Sequence, residues 1–144
     1  MKTIEIKLSE KEFKHLESAI NSQLENWKFP INTALRYKEL LKDPNISKSD
    51  AKIYKNFIRI VIEKDKCFIN AVEKIKNNSI ILFEDKELKI LLECLNTQMS
   101  HSKSRLEDFK VDLFGWGKSD CNKLINYETE FYNALQNIYK ILDI

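Results

Sequence analysis

The string Phe114–Ser119, FGWGKS, ends as a phosphate-binding loop ends, and it is the first place where this chain could do chemistry. A P-loop cradles phosphate in backbone N–H groups and needs a second glycine five positions before the glycine that precedes the lysine. That position here is Asp112, whose carboxylate would repel phosphate, and the segment upstream reads as helix rather than strand. The P-loop reading therefore fails. What remains is Trp116 between two glycines, with Phe114 beside it, in a turn. Tryptophan is enriched at binding hot spots, and a glycine-flanked turn can present it to a partner. The competing expectation is a lid folded back over the helix ends, because cores recruit most tryptophans. Trp27, placed in the corresponding connection of the first half, carries the same two readings.

A basic row offers the second chemistry. Lys48, Lys52, Lys55, Arg59 and Lys66 follow at spacings of four, three, four and seven, which puts all five on one side of a helix. Residues 48–76 hold eight basic and four acidic side chains, an excess of four positive charges in a chain whose net charge is +2. Such a face suits a phosphate backbone or an acidic partner, whereas an ordinary solvated face gives the same pattern in a lysine-rich chain. A helix-turn-helix is not supported, since the connection Asp43–Lys48 is long, contains Pro44 and lacks glycine.

Other reactive groups are sparse. His15 and His101 are the only histidines, and no HxxxH, CxxC or HExxH spacing occurs. Cys94 and His101 stand seven apart on one helix, and folding could bring Cys121 near them, but Cys94 falls at an apolar position and reads as a buried small hydrophobe. No Ser–His–Asp or Cys–His grouping is recognisable, and the carboxylates alternate with lysines at three and four, as surface pairs do. The sequence assigns no catalytic residue, no metal ligand and no cofactor, and the expectation is a protein that is not an enzyme.

These side chains must be positioned by helices. Gly and Pro occur twice each in 144 residues, too few for an all-β fold, which needs turn residues every few positions. Thr3–Leu8 alternates like a strand, and Ser9 with Glu12 forms a capping box ahead of the stripe Phe13, Leu16, Ile20, Leu24 and Trp27. Pro30 is expected to break that helix, with a shorter one from about Asn32 to Lys42. A third helix, capped by Ser47 or Ser49 and ending at Asn77–Asn78, has an apolar face wide enough to be covered on both sides. Ser79–Phe83 is a second extended segment; a helix from Asp85 is expected to stop at Gly115 and Gly117, and Ser119 to cap the last one.

The pattern repeats. Glu10–Leu24, EKEFKHLESAINSQL, and Asp85–Met99, DKELKILLECLNTQM, match at an offset of 75 with six of fifteen positions identical. Lys48–Ser49–Asp50 recurs as Lys118–Ser119–Asp120, and Phe68, Asn70, Ala71 and Ile75 recur as Phe131, Asn133, Ala134 and Ile138. The expected fold is all-α, a bundle of five or six helices in a single domain 1–144, from a tandem duplication with pseudo-repeats 1–78 and 79–144. Thr3–Leu8 and Ser79–Phe83 are expected to pair as a two-stranded ribbon, and Asn21/Asn96, Gln23/Gln98 and Asn70/Asn133 are candidates to bond between the halves.

Three cysteines, an odd number, do not make a disulfide framework, and neither a signal-peptide core nor an 18-residue apolar run is present, so a cytoplasmic protein without membrane contact is expected. Abundant Lys, Ile and Asn beside only three Arg suggest a low-GC bacterium or its mobile elements. The functional expectation is a non-catalytic helical protein-binding module, an immunity, inhibitor or regulatory protein, with Phe114, Trp116 and Trp27 as partner-binding residues. The alternative is nucleic-acid binding through the basic face, as a homodimer.

Overall fold

The computed structural model describes residues 1–144. The chain folds as β1 (Lys2–Glu5), α1 (Glu10–Leu40), α2 (Lys48–Asn77), β2 (Ile80–Phe83), α3 (Asp85–Lys110) and α4 (Lys118–Leu142). It is mostly helical, with four helices rather than five or six. The two strands do pair antiparallel, Lys2 opposite Phe83 and Glu5 opposite Ile80, and Ile6 N–H continues the ribbon to Ser79 O at 2.7 Å.

The helix count falls because Pro30 does not break α1. A proline ring forfeits one N–H and crowds the preceding turn. Here the helix is held on both sides of it: Trp27, before the proline, packs against the core, and Tyr37, after it, stacks on Tyr54 of α2 at 4.4 Å and lies edge-on to Phe57. Three further expectations change. Helix α3 is unbroken, but it ends at Lys110, before the glycines; Gly117, not Ser119, occupies the N-cap position of α4 and supplies no side chain. The apolar face of α2 is fully covered only in its C-terminal half, where Phe68, Ala71, Val72 and Ile75 are buried; in the N-terminal half Val61 is buried, Tyr54, Phe57 and Ile58 are half-buried and Ile62 is exposed.

Helix starts follow local chemistry. Ser9 Oγ accepts from Glu12 N–H at 3.2 Å, and Glu12 Oε1 accepts from Ser9 N–H at 3.1 Å. At the same place before α3, Glu84 and Glu87 form the second capping box, Glu84 N–H donating to Glu87 Oε1 at 2.9 Å. Glu87 is buried and also takes the Lys74 ammonium at 2.5 Å, which fastens the end of α2 to the start of α3.

The core lies at the ribbon end. Ile4, Ile6, Ile81 and Phe83 from the ribbon join Leu16, Ala19 and Ile20 of α1, Phe68, Ala71, Val72 and Ile75 of α2, Ile90, Leu91, Cys94 and Leu95 of α3 and Phe131, Leu135, Ile138 and Leu142 of α4. Helix α2 packs on α1 and α3, and α4 packs on α3 and α1. The N-terminal halves of α1 and α3 therefore meet the C-terminal halves of α2 and α4, an up-down-up-down bundle whose two interhelical turns lie away from the ribbon. Beyond Trp27 and Ser102 the paired helices leave this core and bury residues of their own, Ala34 with Val61 in α1–α2 and Cys121 in α3–α4.

Candidate partner-binding turn

The α3–α4 connection is built around Asp112. Val111 N–H and Leu113 N–H bond back to Glu107 O at 3.3 Å and Asp108 O at 3.0 Å, closing α3. Asp112 then takes φ 49, a left-handed conformation that aspartate tolerates better than most residues. Its Oδ1 accepts from Trp116 N–H at 2.9 Å and from the Cys121 thiol at 3.2 Å, and its Oδ2 accepts from Gly117 N–H at 3.2 Å. Gly115 at φ 70 and Gly117 at φ 94 give the positive φ values this path requires. The residue that excludes a P-loop is thus the one that fills the anion-binding amides of the turn with its own carboxylate. The Cys121 thiol bond, and after it the N–H groups of Gly117, Trp116 and Gly115, hold the Asp112 carboxyl below its ordinary range. Burial, then the bond to Asp112, push the Cys121 thiol up.

This rigid turn presents an aromatic stack. Phe114 and Trp116 lie 4.7 Å apart with ring planes 24° from parallel, and Phe109 backs Trp116 at 6.3 Å. Phe114 is 56% and Trp116 51% exposed, and Val111 and Leu113 beside them are exposed as well. Trp116 is therefore not a lid on the core. Trp27 is placed differently: it lies inside α1 rather than in a connection, packs against the core, and encloses its Nε1 without a hydrogen-bond partner. The structure does not bring the two tryptophans into one surface patch of equal character.

The basic residues Lys48, Lys52, Lys55, Arg59 and Lys66 are all exposed along α2, on the side away from the buried Val61, Phe68 and Val72. Arg59 is within 3.6 Å of Glu63. His15 is buried edge-on to Tyr127 and Phe131, each 5.6 Å away, and His101 is exposed. Cys94 lies in the core, where burial pushes its thiol up to about 12, and burial also raises Cys67. Raised thiols make poor nucleophiles at neutral pH. No three His, Cys, Asp or Glu side chains converge as metal ligands would.

Sequence reasoning missed a polar layer at the middle of the bundle. Glu128 is buried on α4, accepts from Ser102 Oγ at 3.0 Å and pairs with Arg105 through Nε and Nη2. Arg105 also lies 5.9 Å above the Phe131 ring. A signal existed: Glu128 stands at helical spacing between Cys121, Leu124, Phe131 and Leu135, on the buried face of its helix. Above this layer Gln98 Nε2 donates to Gln23 Oε1 at 3.1 Å.

The fold and the turn define a four-helix bundle with a ribbon at one end and an aromatic turn at the other. Comparison with protein-family models, with curated proteins and with solved structures gave no match. No helix is long and apolar enough to cross a membrane.

Proposed function

We propose that the chain is a non-catalytic protein-binding module that engages its partner through the Phe114–Trp116 turn. The observation that carries this reading is the half-exposed aromatic stack on a turn fixed by Asp112. A mobile turn would lose entropy on binding, whereas this one presents its rings already ordered, as hot-spot anchors are. Blocking or regulating another protein needs such a surface and no catalytic group, which is how immunity, inhibitor and regulatory proteins work.

The test is affinity capture from the source cell with the wild type, Trp116→Ala and Phe114→Ala, beside their melting curves. A partner recovered by the wild type and lost by both variants at unchanged melting temperature supports the proposal. A variant that loses stability and keeps the partner assigns the stack to folding instead.

The bundle itself supports a tandem duplication of one strand–helix–helix unit. Equivalent positions are buried alike, Leu16, Ala19 and Ile20 with Leu91, Cys94 and Leu95, and Phe68, Ala71, Val72 and Ile75 with Phe131, Ala134, Leu135 and Ile138. Two contacts join a residue to its own counterpart 75 positions on, Glu5 with Ile80 and Gln23 with Gln98. Contacts of that kind arise on a twofold axis relating two like units.

A further inference from the structure

We infer that the outer half of the α1–α2 hairpin carries a second docking groove, shaped for an amphipathic helix with acidic flanks. The inference does not rest on the aromatic turn, which belongs to the α3–α4 hairpin.

The groove runs between the two helices with Ala34 and Val61 as its buried floor. Ile31 and Leu35 form one wall and Ile58 and Ile62 the other, enclosing about 160 Å³. Leu35 is 56% and Ile62 41% exposed, so the walls stand open to solvent. The main core does not reach this part of the hairpin.

Charge selects the occupant. Lys38 and Lys66 edge the groove, and the basic row of α2 runs along the outer side of its Ile62 wall, Ile62 lying between Arg59 and Lys66 at spacings of three and four. The groove's own charged side chains, Lys38, Asp65 and Lys66, are net positive, and the exposed Lys55 and Arg59 add to that excess along the α2 rim. A second copy would bring the same positive excess against this one, and like charges facing across an interface oppose association. A nucleic acid would satisfy the lysines but leave the apolar walls in water. An amphipathic helix whose apolar residues recur at i, i+3 or i+4 and i+7 satisfies both when Asp or Glu flank that stripe. From Lys48 to Lys66 the row covers roughly 27 Å of helix at 1.5 Å per residue, enough for about five turns of a partner. Asp65 also lines the groove, so the partner should place a donor rather than a carboxylate opposite it.

A display library of helix-forming 18-residue peptides, selected on the full chain, tests this. The expected winners carry the apolar stripe with acidic flanks, bind more weakly as salt rises, lose at least tenfold in affinity on Leu35→Asp or Ile62→Asp, and bind Trp116→Ala as they bind the wild type. Should either apolar variant fail to fold, Lys38→Glu with Lys66→Glu replaces it and should cost the same order of affinity. The inference is overturned if no such sequences are enriched, if the winners lack acidic flanks, or if they ignore these substitutions. It is equally overturned if duplex DNA binds with the same dependence on Leu35 and Ile62, or if sedimentation shows a dimer that Leu35→Asp dissociates.

Discussion

Gln98 donates its side-chain amide to the side-chain carbonyl of Gln23 at 3.1 Å, and the two residues hold the same place in two like helices. Gln98 is almost wholly buried and Gln23 partly so, which puts a matched polar pair where α1 and α3 face each other. Losing one partner leaves an amide short of a bond, at a cost of about 1–2 kcal/mol. Gln23→Leu and Gln98→Leu should each destabilise by that order, and the double variant should cost less than their sum by about 0.5 kcal/mol or more. Chemical denaturation of the four proteins measures the cycle; strict additivity would mean that the pair is a coincidence of placement.

The same pair makes a prediction about the half-chain. If the two units are copies, residues 1–78 should associate with themselves as they now associate with residues 79–144, with Gln23 meeting Gln23. The ladder would then oppose Glu5 to Glu5, a like-charge pair that Ile80 now relieves. A fragment 1–78 carrying Glu5→Ile should form a helical dimer more readily than the unchanged fragment. Sedimentation and circular dichroism decide, and a disordered monomer in both cases would count against duplication.

Arg105 and Glu128 form one of the two ion pairs with a buried carboxylate, the other being Lys74 with Glu87. Glu128 is buried while Arg105 is partly in water, so removing the arginine strands a carboxylate. Fully buried pairs broken this way cost 3–5 kcal/mol; the exposure of the arginine lowers the expectation for Arg105→Ala to about 2 kcal/mol. Glu128→Gln keeps an acceptor for Ser102 and removes the buried charge, so it should cost less. A larger loss in Glu128→Gln than in Arg105→Ala would refute this account of the layer.

Pro30 shows why the sequence alone implies more helices than the fold contains. Local rules put a break there, and they are right about the cost, but whether a helix survives a proline depends on what packs to either side. The partners of Tyr37, namely Tyr54 and Phe57, lie on α2, and Trp27 packs on a core drawn from the whole chain, all far from the proline in sequence and invisible to a local pattern. Period and caps were legible because they are local: Ser9 with Glu12 and the Asp85 start stand where the pattern put them, and the two extended segments pair, although β1 covers Lys2–Glu5 rather than Thr3–Leu8. The aromatic turn was legible in its residues and not in its geometry, since the role of Asp112 depends on its carboxylate reaching residues 116, 117 and 121.

Replacing Pro30 by alanine restores an N–H and relieves the ring clash. Interior proline costs about 3 kcal/mol against alanine in a regular helix, so Pro30→Ala should raise stability by about 1–3 kcal/mol. A rise in melting temperature is the expected reading. A fall would mean that the ring, which is partly buried, packs in a way that outweighs its backbone cost.

The turn should also respond to acid in a predictable direction. The Asp112 carboxyl is held below its ordinary value of 3.8 by the Cys121 thiol and the turn's N–H groups. A carboxyl lowered by folding contributes stability above its unfolded value, and that contribution is lost as pH falls through the folded value. The turn should therefore stay ordered at neutral pH and loosen only below the usual carboxylate range. Trp116 fluorescence in a Trp27→Phe background reads this directly: the emission should shift toward that of solvated tryptophan at a midpoint under pH 3.8. Asp112→Asn keeps the shape and the left-handed conformation but removes the ionised acceptor, so its emission should already be shifted at pH 7 and show no such transition. An Asp112→Asn protein whose Trp116 stays in the wild-type environment at neutral pH would show that the glycines, and not the carboxylate, hold the aromatic stack in place.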